Sequence, residues 1–597
     1  MTRRLPALMV LGVAAACGRG ATPSAKGAGT LGASIAVIQA GAALAVVNAD
    51  QGSVSLLDPA SLAVTQTVTV QGEPHALLEL ASGTLLVANY RGGQIVAVDP
   101  STGTVTGAAS VCAGPYGLAE SPDHTWVAVS CEWDGTVQKV DPATLTATPI
   151  AQGLHRPRAV AIVGQDVYVA DYVGGTVHDI HPDGSDSPTS LVPSAAPYRP
   201  ALTKMTANLA SSIAVAFGRV HVAHVLENND GDTSEAVAAN YGTVSDTNPK
   251  INPAVTTLGT STPPIYAQFD GGSRVYSGAV AVASFGSHYL LVAHVSTANV
   301  AVIDTTAATP DGRAVATYTV GAGPAGVAVD EASQVAYVDN ALDQSVSRID
   351  LAQPFAPGAP VYTPEATLVR TLPSPYSTQA LAGRRLFFDA TNTHVTPAGV
   401  VACASCHPSG SDDGLVWFED TPNVPYRHRR TPHLANAKSA TSPFHWDGQF
   451  TDMPALAEST MTNIMGGDGL LVDVSTVQAY IDEIVQPPVL PVADAASVAR
   501  GEALFTSPQV GCSTCHDGPY LTDDQLHVVL NPQSLDPADT IAQTNTPGLH
   551  GVFLTAPYFH DGRAATLQDV LADPLMGSTQ GLSAQQTGDL IAYLQSL

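Results

Sequence analysis

Residues 85–99 read Leu85-Leu86-Val87-Ala88-Asn89-Tyr90-Arg91-Gly92-Gly93-Gln94-Ile95-Val96-Ala97-Val98-Asp99: two short apolar strands around a glycine turn, closed by an aspartate. The phrase recurs. Short apolar strands end at Asn48, Asn89, Cys131, Asp171, His224, His294 and Asn340, at spacings of 41, 42, 40, 53, 70 and 46 residues. Six of the seven anchors are followed at plus six by Val54, Ile95, Val137, Val177, Val300 or Val346, and at plus ten by Asp58, Asp99, Asp141, His181, Asp304 or Asp350. A period of roughly 40 to 45 residues with several strands per repeat is the mark of a β-propeller. Seven anchors predict seven blades over residues 32–352, and the two long spacings imply insertions, one from about Glu227 to Asn252. Asn229, Asp230, Asp232 and Asp246 in that insertion lack the full spacing of a calcium loop and read as a solvated acidic loop. His224 and His294, at strand ends, read as structural.

The 597-residue chain is too long for one core. With 45% hydrophobic and 13% charged residues it is not a disordered polyampholyte. A balance of 24 basic to 52 acidic side chains, net charge -28, excludes nucleic acid as a partner and suits a small basic electron carrier. Arg3 and Arg4, the apolar run Leu5–Val13 and Ala14-Ala15-Ala16-Cys17 predict a lipoprotein signal over residues 1–17, followed by a linker over 18–31. The expectation is export to the periplasm or cell surface, with membrane attachment only through lipid on Cys17. Cys112 and Cys131 either pair in that oxidising compartment or stay as two buried thiols.

A Pro-rich stretch, 353–376, reads as an extended spacer. Beyond it the pattern turns helical and repeats. Gly383 with Leu386-Phe387 matches Gly501 with Leu504-Phe505, and Cys403/Cys406/His407 match Cys512/Cys515/His516. Thr431-Pro432, Asp447-Gly448 and Met465-Gly466 match Thr546-Pro547, Asp561-Gly562 and Met576-Gly577 in the same order. Two mainly α-helical cytochrome c-like domains are expected, at 377–490 and 491–597. In each CxxCH motif two thiols one helical turn apart can add to the haem vinyl groups, with the next histidine under the iron. Zinc would need further ligands at matching spacing. His527, His550 and His560 in the second unit have no counterpart arrangement in the first. Two covalently bound c-type haems are therefore expected, held by Cys403, Cys406, Cys512 and Cys515. The fold class is multidomain: an all-β seven-bladed propeller followed by two cytochrome c-like domains.

Gly52-Ser53-Val54 with Asp58-Pro59, and Gly135-Thr136-Val137 with Asp141-Pro142, resemble the YVTN and YncE-like propellers of bacterial surface proteins. That resemblance leaves room for a protein partner at the propeller. The tandem unit resembles the bacterial di-haem cytochrome c peroxidases and MauG-type enzymes. The matching residues are both CxxCH motifs, Thr431-Pro432-His433-Leu434-Ala435-Asn436, His445-Trp446-Asp447-Gly448, Tyr558-Phe559-His560-Asp561-Gly562-Arg563, Ala565-Thr566-Leu567 and Leu590-Ile591-Ala592-Tyr593-Leu594.

The resemblance implies a peroxidase-like oxidoreductase. Electrons from a small cytochrome or cupredoxin enter at a high-potential second haem, with ligands His516 and Met576. They pass to a peroxidatic first haem with proximal His407, where hydrogen peroxide is reduced. The sixth ligand of the first haem is expected at His428, with Met465 the rival by internal symmetry. The resemblance also implies an acid after Trp446-Asp447-Gly448-Gln449, and spacing leaves Asp452 and Glu458 both open. It further implies a calcium ion whose ligands cannot be assigned, and a bridging tryptophan within the Thr-Pro to Asn stretch, where residues 431–436 contain none. The alternatives are a MauG-like oxidase acting on a partner protein and a non-enzymatic electron-transfer or surface-binding cytochrome.

Overall fold

The computed structural model describes residues 33–597, apart from 193–203, 230–249, 260–264, 267–275, 308–313 and 529–540 and short gaps at 354, 356–360, 365, 371, 398, 422–423 and 493. The signal residues, Cys17, Asp230, Asp232 and Asp246 lie outside the described residues.

Seven antiparallel meanders form the N-terminal region, and within each the strands pair in sequence order up to the outer edge of the last two blades. Their inner strands are Ile35–Ile38, Pro74–Glu79, Pro115–Glu120, Pro157–Val163, Thr206–Ala216, Ala279–Phe285 and Pro324–Asp330. Neighbouring inner strands pack in a ring, and the first meets the seventh, which closes a seven-bladed propeller. The apolar runs are continuous rather than alternating because every blade has a neighbour on both faces. Leu85–Asn89 is buried at all five positions. Separate core clusters fill the gaps between blades, such as Val47, Val54, Leu77, Leu85 and Val87 between the first and second. Ile35, Leu44, Ala328, Val335 and Tyr337 fill the gap between the first and seventh. Outer strands such as Thr104–Ser110 alternate towards solvent.

Six of the seven anchors end the second strand of a blade. His224 does not. Its strand runs from Arg219 to Glu227, so the residue at the strand end is Glu227. His224 is structural, buried with its Nε2 2.8 Å from Thr256 Oγ1. Cys112 and Cys131 are paired in a disulfide.

The stretch read as a spacer also carries strand. Ala366–Val369 pairs with Ser345–Arg348 as the outer strand of the seventh blade, and Val361–Tyr362 adds parallel to the sixth. Arg370 then plugs the junction of the first and seventh blades. Its Nη1 donates to Asn48 Oδ1 (2.8 Å) and its Nη2 to Asp339 Oδ1 (2.9 Å), with 3% of the residue exposed.

The C-terminal region holds two units of short helices joined by long loops and 3-10 turns. In the first, Thr378–Phe388, capped by the Ser377 side chain, packs on Ser475–Glu483. In the second, Ala495–Phe505, capped by Asp494, packs on Ala584–Gln595. Gly383 and Gly501 sit at the crossings, where a side chain would run into the backbone of Thr476 and Asp589. The Gly-x-x-Leu-Phe repeat therefore marks a close helix crossing.

Both units rest on the propeller face that carries the strand ends. Arg384 forms an ion pair with Asp50 at 2.7 Å, and Arg91 Nη1 donates to the Pro487 carbonyl at 2.9 Å. Ser277 Oγ donates to the Val400 carbonyl at 2.7 Å. On the same face Glu132, fully buried, pairs with Arg156 (2.9 Å) and Arg158 (2.7 Å) and accepts from Tyr90 Oη (2.8 Å). The desolvation of Glu132 is offset by the two guanidinium groups, which hold its carboxyl down at about 2. Arg156 reaches on to the Asp412 carbonyl at 3.1 Å.

Candidate haem sites

In the second unit Cys512, Cys515, His516 and Met576 line one cavity, walled by Phe505, Leu549, Leu571, Leu590 and Leu594. A Cβ at Gly577 would lie 3.7 Å from Cys512 Sγ, so the Met576-Gly577 turn passes beside the thiol pair. His516 Nδ1 is 3.0 Å from the Leu521 carbonyl. The ring proton therefore sits on Nδ1, and Nε2 keeps its lone pair for a metal. Burial lowers the pKa of His516, which favours the neutral ring that a ligand needs.

The first unit repeats this chemistry in different surroundings. Cys403 and Cys406 pack against Val395, Val400, Val401, Trp417, Met461 and Met465. Tyr172, Leu209, Val225 and Ile251 of the propeller complete that cluster. His407 Nδ1 faces the Ser411 carbonyl at 3.3 Å, and burial lowers its pKa to about 4. The carbonyls of Pro432 and Pro547 also favour the ring proton of His407 and His516 respectively, which gives the repeated Thr-Pro a physical role.

Met465 is buried (2% exposed) in the cluster that holds Cys403 and Cys406. His428 is half-buried on the strand Val424–Arg430, its ring 5.1 Å from that of Phe418. Asp452 is exposed, and its Oδ1 accepts from the Ala455 N–H at 2.8 Å as the cap of Met453–Ser459. Glu458 is exposed near the end of that helix.

At the junction of the units lies Trp446, which the sequence places in the His445-Trp446-Asp447-Gly448 match without a role of its own. Trp446 lines the second cavity, its Nε1 donates to the Arg430 carbonyl at 2.8 Å, and its ring is 6.4 Å from that of His560. The Arg430 N–H donates back to the His560 carbonyl at 2.7 Å. A tryptophan is thus present at the junction of the units, outside the Thr-Pro to Asn stretch. The signal was its alignment with His560 in the repeat.

The surroundings fit covalent haem. Cys403 and Cys406 sit in an apolar cluster, and among the described residues no further group joins them in the arrangement that zinc requires. Cys515, Asp523 and His527 could bring ligand atoms within 4.8 Å of one another, but the described residues of the first unit show no counterpart. No calcium ligands are distinguished among the described residues.

No family model matches the chain. "Methylamine utilization protein MauG" of Methylorubrum extorquens is 27% identical over 276 residues, covering 36% of this chain and 76% of its own. "Cytochrome-c peroxidase IdrP2" of Denitromonas iodatirespirans is 27% identical over 299 residues, covering 36% of this chain and 80% of its own. Among solved structures, Kuenenia stuttgartiensis hydrazine synthase aligns with 56% of this chain and 99% of its own, at 17% identity and a TM-score of 0.42. The chain thus joins a seven-bladed β-propeller to a haem-binding region related in sequence to the MauG and cytochrome-c peroxidase oxidoreductases.

Proposed function

We propose that the protein is an exported di-haem peroxidase-like oxidoreductase that takes electrons from a small carrier at the second site and delivers them to hydrogen peroxide at the first. The observation that carries the reading is the shared cavity of Cys512, Cys515, His516 and Met576, joined to the first unit through Trp446. Bound haem would supply an iron that exchanges single electrons and, where a coordination position is open, accepts peroxide.

The side chains do the rest. Met576 offers a thioether, which favours the reduced metal and makes the second site the electron store. The bonded Nδ1 atoms hold His407 and His516 in the tautomer that presents Nε2. Trp446, through Arg430, Thr431 and Pro432, gives a short hydrogen-bonded and covalent path towards His407. Met465, buried beside Cys403 and Cys406, stands ahead of His428 as the resting ligand that would withdraw from the first site to admit peroxide, which leaves Met576 as the thioether that would stay bound. Export is supported by the formed Cys112–Cys131 disulfide and the N-terminal signal pattern, and lipidation at Cys17 by the latter. No described helix is long and apolar enough to cross a membrane.

The test is cyanide binding and peroxide consumption by the half-reduced protein, with a small reduced cytochrome as donor. Cyanide binding and donor-dependent turnover are expected. An inert spectrum with both additions replaces this reading with that of an electron carrier.

A further inference from the structure

Two blades carry a carboxyl at this strand end: the fourth has Asp171, paired with His178 at 3.0 Å, and the fifth has Glu227, where the others place Asn48, Asn89, Cys131, His294 or Asn340. Glu227 there is fully buried. Asn208 Nδ2 donates to Glu227 Oε2 (3.0 Å) and to the Asp413 backbone carbonyl (2.9 Å), so one amide ties the propeller to the first cytochrome unit. Glu227 Oε1 has no hydrogen-bond partner among the described residues. Asp413 is equally buried, its Oδ1 accepting from the Leu415 N–H (2.9 Å) and its Oδ2 from Trp417 Nε1 (2.7 Å).

Among the described residues neither carboxyl has a cation. The charged and titratable groups on the elements packed around them are Arg156, Arg158 and Tyr172 on the fourth blade, Lys250 on the fifth, and His407, Asp412, His428, Arg429, Arg430 and His433 on the first unit. Arg156 and Arg158 pair with Glu132, and Arg430 with Asp412 at 2.8 Å. Two ionised carboxylates without a counter-charge are not sustained in such surroundings. Burial first, and then the charge of Asp413, raises Glu227 well above the ordinary carboxyl range, while burial raises Asp413 to about 7.

We propose that Glu227 and Asp413 form one proton-holding unit, half from the propeller and half from the cytochrome region, which takes up a proton when an electron arrives at the site of Cys403, Cys406 and His407. Trp417, which donates to Asp413, packs in the apolar cluster of Cys403 and Cys406, and so does Val225, two residues before Glu227. A charge added there acts on the pair across a poorly screened interior. The balance is one electron in, one proton from solvent, and one new O–H bond on a carboxylate oxygen, with no net change of charge. The inference rests on the first unit holding a redox-active haem and is independent of peroxide turnover.

The test is a redox titration of the full-length holoprotein from about pH 5 to pH 9, followed at both sites. The first-site potential should fall with rising pH around neutrality, approaching one proton per electron, and the second-site potential should respond less. Glu227→Gln and Asp413→Asn, each nearly isosteric, should flatten the first-site slope with haem content unchanged. Melting curves provide a second readout. The folded pair keeps a proton that the unfolded chain has released above its ordinary carboxyl range. Wild-type stability should therefore fall as pH rises towards about 7, and less so in Glu227→Gln. A wild type without first-site slope, or a slope that survives both substitutions, overturns the proposal. A slope without peroxide turnover removes the peroxidase reading and leaves the carboxyl pair standing.

Discussion

The two cytochrome units carry the same parts and build different rooms. The second lines its cavity mainly with its own helices and loops, and the first unit closes one side with residues that include Pro432, His433, Phe444 and Trp446. The first takes Tyr172, Leu209, Val225 and Ile251 from the propeller as part of its wall. Its loop is fixed there as well: Arg156 holds the Asp412 carbonyl, Asn208 that of Asp413, and Asn229 that of Val416 at 3.0 Å. A repeat in sequence therefore conserves the ligand layout but not the medium around it. The propeller supplies part of the first site's wall, and the face of it that carries the strand ends packs against the cytochrome units.

The largest effect that probes this comparison is on cofactor content. Replacing Cys403 and Cys406 with Ala should halve the pyridine haemochrome yield per chain, and replacing Cys512 and Cys515 should do the same. Haem extractable by acid-acetone, or an unchanged yield, breaks the parallel between the units.

The next effect concerns the propeller as a support. Arg370→Met leaves Asp339 buried without its cation, so it should cost on the order of 3 kcal/mol in chemical denaturation. A fragment ending at residue 352 lacks both the outer strand of the seventh blade and this arginine. It should be less stable than a fragment ending after Arg370 and Leu372, and equal stability of the two contradicts the role given to Ala366–Arg370.

The ligand comparison gives a third effect. Met576→Ala should lower the second-site potential by more than about 59 mV, one tenfold step for a one-electron couple. Met465→Ala should change the first-site spectrum and leave the second-site potential in place. If instead His428→Ala changes the first-site spectrum and Met465→Ala does not, the sixth ligand is His428 and the two sites differ in ligation as well as in walls.

The smallest effect separates a helix cap from a catalytic acid. Asp452→Ala should cost about 1 kcal/mol of local stability, because its carboxylate caps Met453–Ser459. Peroxide turnover should stay within twofold, about 0.4 kcal/mol on the rate barrier. A loss of turnover with stability intact reverses that reading.

Much of this was legible in the sequence because it follows local rules. The propeller announced itself through apolar runs and turns at a fixed period, and the haem sites through CxxCH, whose spacing is set by one helical turn. What was not legible depends on contacts across hundreds of residues. Trp446 belongs to the first unit, but its role shows only where it meets Arg430 and His560. Arg370 sits in a proline-rich stretch with no periodicity, and its partners Asn48 and Asp339 lie on opposite sides of the ring closure. Glu227 was hidden by a longer strand. Counting apolar residues ends the fifth blade's second strand at His224, three positions early, and so misses the buried acid at its true end.

The central claim is that the two sites differ electronically although their sequences repeat. A spectroelectrochemical titration of the holoprotein tests it most directly. The account predicts two separate one-electron steps, the higher lowered by Met576→Ala and the lower unaffected by that substitution. A single two-electron step, or two steps that Met576→Ala leaves unchanged, would contradict it.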